Sequence, residues 1–258
     1  MTESPNGRYT ADEMMAVAAA RRLADGAVCF VGIGVPSRAA NLARATHAPH
    51  AVLIYESGTI GAKPEHLPLS IGDGELAETA DVVVSVPEIF SYWLQGGRID
   101  VGFLGAAQID RFGNLNSTVI GDYDRPQVRL PGGGGAPEIA AWCRETFVIL
   151  KQSPRTFVER LDFRTTVGHG EGAGSRERLG FDGAGVTCVV TDLGVLEPDP
   201  ASAELTLTAL HPGVTVDDVR SATGWELRVS TDVRSSEEPT SEELAALRAL
   251  KPAEVVAR

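Results

Sequence analysis

Apolar residues fall in short, dense runs set apart by glycine-rich turns and by stretches of mixed polarity. Ala27-Val28-Cys29-Phe30-Val31, Ala51-Val52-Leu53-Ile54-Tyr55, Ile99-Asp100-Val101-Gly102-Phe103-Leu104 and Thr146-Phe147-Val148-Ile149-Leu150 are each five or six residues long. Runs of that length bounded by turn signals read as strands buried on both faces. Between them lie helix signals. Thr10 and Glu13 form a capping box ahead of a helix from Met14 to about Leu23, which stops at Gly26. A second helix spans about Arg38 to Arg44 after the turn Gly32-Ile33-Gly34-Val35-Pro36-Ser37. Asp81 to Val86 reads as a further strand, and Pro87-Glu88 opens a helix through Leu94 that Gly96-Gly97 ends. Strands alternating with helices of this size predict an α/β fold, a mostly parallel sheet with helices on both faces.

After about Ser153 the texture changes. Thr187 to Asp192 and Glu204 to Ala209 read as strands, the latter alternating with period two. Val214 to Val219 suggests a short helix, and Thr240 to Leu250 a capped one cut by Pro252, after an exposed linker at about 235–239. The expectation is one domain over 1–258, with an α/β core at about 10–150 and a C-terminal extension at about 151–258.

Composition narrows the partners. The net charge of −12 argues against nucleic acid or an anionic membrane as partner. No apolar run approaches the roughly 20 residues of a membrane-spanning helix. The first seven residues do not join a basic region to an apolar one, as a signal peptide would. Cys29, Cys143 and Cys188 are odd in number and form no CxxC pair, so buried free thiols are expected in place of disulfides or zinc ligands. A cytoplasmic protein without a metal follows.

Candidate chemistry gathers at a few points. Glu56 follows five apolar residues and precedes Ser57-Gly58-Thr59-Ile60-Gly61. A carboxylate at the carboxyl end of a buried strand is where α/β folds hold reactive groups. It can act as covalent nucleophile or general base, or merely cap backbone N–H groups. Four glycines, Gly132 to Gly135, stand before a helix start and offer a row of N–H groups to an anion or oxyanion. Gly32-Ile33-Gly34 lacks the third glycine of a dinucleotide fingerprint, because position 37 is Ser. Between Gly105 and Thr118, Arg111, Asn114, Asn116 and Ser117 are candidates for fixing a carboxylate or an amide, while Asp110 and Gly113 read as a turn. His169 lies in a glycine-rich loop expected to be mobile, and no histidine pair has metal-ligand spacing. Lys63, Arg98 and Arg111 are candidate anchors for a carboxylate, or equally surface charges.

Several of these stretches together resemble the β subunits of class I CoA-transferases, in the glutaconate CoA-transferase branch. They are Tyr55-Glu56-Ser57-Gly58 with Gly61, Leu104 to Asn114, Gly133-Gly134-Gly135-Ala136, Phe30 to Gly34, Ser70 to Glu78, Tyr92 to Asp100 and Val167 to Gly172. The likeness runs over about residues 10–230. It implies the CoA-transferase fold, with Glu56 as nucleophile, Gly134 or Gly135 as oxyanion donor, and Gly32, Gly34, Gln108, Arg111 and Asn114 near substrate or CoA. It implies CoA as a thioester co-substrate with no bound cofactor, and an α subunit as partner in an α2β2 or larger assembly. The implied reaction moves CoA from succinyl-CoA to 3-oxoadipate by ping-pong chemistry. Glutaconate or another short dicarboxylate, a CoA-thioester hydrolase on the same scaffold, and a subunit that only binds CoA are the rivals. Two departures stand out: many relatives carry Ser-Glu-Asn-Gly around the glutamate, and some carry Asn where this chain has Asp100, to which no catalytic role is given.

Overall fold

In the computed structural model, residues 7–252 are described; Met1–Asn6, where the N-terminal reading falls, lie outside them. The chain divides into two compact units, residues 1–103 with 238–258, and residues 104–237. The first crossing follows Phe103, so the change of texture after Ser153 is internal to the second unit. The return crossing after Glu237 falls within the stretch expected as a linker, although Pro239 there is buried.

In the first unit, helix α1 (Ala11–Ala20) starts with the predicted capping box, both of whose reciprocal bonds are present. Strand β1 (Val28–Phe30) feeds helix α2 (Val35–Ala45), which returns the chain to strand β2 (Val52–Ile54). β1 and β2 pair in parallel, with Val28 opposite Val52 and Phe30 opposite Ile54. Val101–Leu104 pairs in parallel on the other side of β1. The chain then reverses. Strand β3 (Thr59–Ile60) runs antiparallel to β2, and Val82–Val83 runs antiparallel to β3. The run at 81–86 is thus a two-residue edge strand, with both valines about half exposed. The helix after it tightens into one α-turn, Val86–Glu88, then widens into a π-helix, Ile89–Leu94.

The C-terminal helix Ser241–Ala249 belongs to this unit. The guanidinium of Arg21 grips both oxygens of Glu243, each at 2.7 Å, and Arg248 donates to Glu13 at 2.7 Å. Leu244 packs with Tyr9 and Met14. Paired, partly buried charges over an apolar contact outweigh an isolated surface ion pair, which explains why residues so distant in sequence fold together.

In the second unit, Glu145–Ile149 and Val186–Val190 pair in parallel, followed by antiparallel Gly194–Pro198 and Leu205–Leu210. Arg228–Ser235 pairs in parallel beyond them. The α/β class with parallel central strands is as expected; the antiparallel strands around them are longer and more numerous than the hydrophobic runs suggested. All three cysteines are buried free thiols. No helix among the described residues is long and apolar enough to cross a membrane.

One buried group makes this unit acid-sensitive. His211 is almost fully buried, its Nε2 facing the Thr191 carbonyl at 2.9 Å and its Nδ1 facing the Ser236 hydroxyl at 3.1 Å. Those partners suit a neutral ring, with Nε2–H donating and Nδ1 accepting. Burial pushes its pKa from 6.5 down to about 4, against smaller opposing effects of the Thr191 bond and Asp192. The unfolded chain therefore takes up the proton first. Stability is full above about pH 6.5 and falls as pH drops toward 4, by on the order of 3 kcal/mol. Urea denaturation between pH 7 and 4 should show this decline, and His211→Gln should flatten it.

Candidate active site

Glu56 sits at the tip of a tight turn. The Gly58 N–H donates to the Tyr55 carbonyl at 3.0 Å and the Tyr55 N–H to the Thr59 carbonyl at 3.0 Å, which folds β2 back into β3 around Glu56 and Ser57. The turn requires glycine at 58. Its φ is +107°, and a Cβ there would lie 2.0 Å from the Val84 carbonyl oxygen. The Glu56 side chain is half-buried, and no hydrogen bond or ion pair engages it among the described residues. The hydroxyls of Ser57 and Thr59 are buried and equally unpaired.

Parallel pairing sets the company of that turn. The Val31 N–H donates to the Ile54 carbonyl at 2.9 Å, so the chain leaves β1 at the edge where it leaves β2. The Gly32–Gly34 loop is therefore a neighbour of the Glu56 turn. Gly34, with φ +89°, N-caps α2, and a side chain at either glycine would meet only open space. The first turn of α2 reaches across to β2, where the Ser37 and Tyr55 hydroxyls lie 3.4 Å apart. Asn41 donates to the Ser37 carbonyl at 2.9 Å and steadies that turn. Burial raises the pKa of the fully buried Tyr55, keeping it a neutral phenol.

Asp100 belongs to the opposite edge. Its carboxylate accepts from the Val28 N–H at 2.9 Å, where β1 begins. Lys63 and Arg98 also lie away from Glu56. Arg98 precedes the strand Val101–Leu104, which runs parallel to β1, and Lys63 follows Gly61, whose N–H returns to Leu53. Lys63 is paired with Asp81.

In the second unit, Gly132 is tied by its N–H and carbonyl to Ser117. The next three glycines lead into the helix Ala136–Trp142, and no acceptor among the described residues takes the N–H of Gly133, Gly134 or Gly135. The polar residues after Gly105 are occupied by contrast. Gln108 accepts from Asn116 (2.7 Å) and the Asp162 N–H (3.1 Å), and donates to the Asp162 carboxylate (2.9 Å). Arg111 faces Glu159 at 3.4 Å and Glu204 at 4.0 Å. Asn114 is fully buried. It donates to Asp110 and the Gly170 carbonyl, each at 2.8 Å, and accepts from the N–H groups of Gly168 and Gly170. Asp110 closes its own turn onto the N–H groups of Phe112 and Asn114, and burial raises its pKa against those bonds. The loop around His169 is thus held by Asn114, contrary to the mobility expected of a glycine-rich segment. His169 bonds the Val186 carbonyl through Nε2 at 2.7 Å, and burial lowers its pKa. His169 lines a cavity of about 720 Å³ bounded by Gly172–Gly174 and Phe181–Ala184; none of the other predicted site residues borders it. Among the described residues no cluster of His, Cys, Asp and Glu could hold a metal ion.

A profile of the coenzyme A transferase family matches residues 12–222. The chain belongs to the coenzyme A transferase family. It is 65% identical over 243 residues to the second (B) subunit of the 3-oxoadipate CoA-transferase of Pseudomonas knackmussii, with 94% of each chain covered. It is 38% identical over 231 residues to the second (B) subunit of the glutaconate CoA-transferase of Acidaminococcus fermentans, covering 87% of this chain and 86% of the other. The crystal structure of glutaconate coenzyme A-transferase from that organism superposes with a TM-score of 0.89 at 33% identity over 95% of each chain. The fold expected from the resemblance is the one found.

Two substitutions test this anatomy. Gly58→Ala should lower stability by about 2 kcal/mol or more, read from the denaturation midpoint, because it sets a side chain against a backbone carbonyl in a left-handed conformation. Asn114→Ala should cost about 2–4 kcal/mol, because it strands two N–H groups, a carbonyl and a carboxylate in the interior. Its main effect should appear in the denaturation midpoint, ahead of any change in KM.

Proposed function

We propose that this chain is the β subunit of an acid:CoA-transferase that moves CoA from succinyl-CoA to 3-oxoadipate, with Glu56 as its covalent nucleophile. The likeness to a 3-oxoadipate CoA-transferase chain along 94% of its length supports the reaction. The observation that carries the catalytic assignment is the Glu56 turn, a half-buried, unpaired carboxylate at the carboxyl edge of parallel strands.

In this reading the Glu56 carboxylate attacks the thioester carbonyl of succinyl-CoA. The C–S bond breaks, CoA leaves as thiolate, and a mixed succinyl-glutamyl anhydride remains. The thiolate then attacks the glutamyl carbonyl, releasing succinate and leaving a Glu56–CoA thioester. The carboxylate of 3-oxoadipate repeats the two steps in reverse and departs as its CoA ester, and Glu56 is regenerated. Every step passes through a tetrahedral oxyanion. The free N–H groups of Gly134 and Gly135 are proposed as its donors, each such donor contributing about 3 kcal/mol. Gly32 and Gly34 leave room for substrate beside the Glu56 turn. Gln108, Arg111 and Asn114, with their bonding taken up by the protein, serve this reading as the frame of the second unit. CoA enters and leaves as a thioester, so no resident cofactor is needed.

The partner is a CoA-transferase α subunit, in an α2β2 or larger assembly. Two features beside the Glu56 turn support a covering chain there. Val82, Val83, Val86 and Tyr92 expose an apolar surface on and after the edge strand that pairs with β3, and the Ser57 and Thr59 hydroxyls are buried without partners. A cytoplasmic location is supported by three thiols held free.

Incubating the two-subunit enzyme with succinyl-CoA alone and measuring intact subunit masses tests the reading. A CoA-sized adduct should appear on this chain and be absent in Glu56→Ala, with turnover down by at least about 10⁴-fold. Free CoA and succinate accumulating without an adduct would instead indicate a hydrolase.

A further inference from the structure

A nucleophile alone does not recognise the second carboxylate of a dicarboxylic acyl group. A selective pocket for such a group needs a cation within reach of the nucleophile, partly shielded from water, with donors to spare. The three cations singled out in the sequence do not meet that description: Lys63 and Arg98 lie at the far edge from Glu56, and Arg111 faces two glutamates.

Arg38 does meet it. It lies in the first turn of α2, its backbone N–H bonded to the Gly34 carbonyl at 3.1 Å. The Ser37–Tyr55 hydroxyl contact joins that turn to the end of β2, and Arg38 and Glu56 are the next residue along each of the two segments so joined. The Arg38 side chain is half-buried. Among the described residues nothing bonds its guanidinium, and it forms no ion pair with Glu56. Two opposite charges, both partly withdrawn from water and neither satisfied, thus stand on adjoining segments of one edge. Removing charge from water without a partner is costly. A ligand with an electrophilic carbonyl at one end and a carboxylate at the other answers both.

We infer that Arg38 is the specificity-determining residue for dicarboxylic substrates, binding the distal carboxylate of the acyl group while its thioester carbonyl meets Glu56. This rests on the assignment of Glu56 as nucleophile. The same guanidinium serves both half-reactions, because succinyl and 3-oxoadipyl groups each carry a free carboxylate. The difference in their chain length is then taken up by the open space at Gly32 and Gly34.

The test compares succinyl-CoA with butyryl-CoA, which has no distal carboxylate, on the two-subunit enzyme. The rate of CoA-adduct formation on Glu56 is followed by intact mass. Arg38→Gln should slow the reaction with succinyl-CoA by about 10- to 100-fold, the range of a charge-assisted hydrogen-bond pair, and leave butyryl-CoA within about threefold. Arg38→Lys, which keeps the charge but loses the fork, should fall between, and serves if the glutamine variant does not assemble. Equal slowing of both donors, or of neither, would overturn the inference. A wild-type enzyme that forms no adduct with either donor would overturn the covalent reading instead. Calorimetric titration with succinate and butyrate would then decide Arg38 on its own: lost preference for succinate in the glutamine variant supports the role, and an unchanged preference removes it.

Discussion

The parallel pairing of β1 with β2 is the constraint from which the rest of the first unit follows. Setting Phe30 opposite Ile54 brings two chain exits to one edge, and the crossover through α2 is the only connection between them. Parallel strands need such a crossover, and its helix packs back on the sheet it left. The first turn of α2 therefore lands on Tyr55, and Glu56 is carried to the lip of the sheet just where the chain must reverse. A one-residue slip of this register would turn Tyr55 off α2 and move Glu56 with it.

The polar groups after Gly105 and those around Glu56 are treated in opposite ways. Among the former, Asn114, Gln108 and Asp110 form a closed hydrogen-bonded set, with nearly every donor and acceptor matched. Such a set is rigid because breaking one bond leaves a buried group unsatisfied. Around Glu56 the polar groups are left over: a carboxylate, a guanidinium and two hydroxyls find no partner among the described residues. That these four lie on adjoining segments at the exit end of β1 and β2 sets this edge apart, although Thr146, Thr166 and Trp225 of the second unit also bury a polar atom without a partner.

How much of this was legible depends on the residue. The strands around Phe30 and Ile54 and the capping boxes at Thr10 and Thr240 could be read because each rests on a local signal, a dense apolar run or a side chain bonding its own turn. Glu56 was legible for the same reason, as a charge placed directly after a buried strand. The edge strand Val82–Val83 is shorter than its run of three valines suggests, because such a run suits any strand; that it ends at an exposed sheet edge is a property of its neighbours. Asn114 has the chemistry of a binding residue, yet its amide is spent on Asp110 and on the loop around residue 170, some 56 positions away. Arg38 is silent in the sequence because a lone arginine in a helix carries no local signal.

The sequence by itself determined the fold class, the main buried strands, the turn glycines and the place of the glutamate, all of which follow from periodicity and side-chain chemistry within a few residues. Tertiary structure decided which polar residues are used up and which are free. It turned Lys63, Arg98 and Asp100 away from the glutamate, closed the network of Asn114, and joined the segment that carries Arg38 to the one that carries Glu56. Those outcomes depend on register and on helix placement between segments far apart in the chain, and a hydrogen bond of that kind leaves no imprint on the residues nearby.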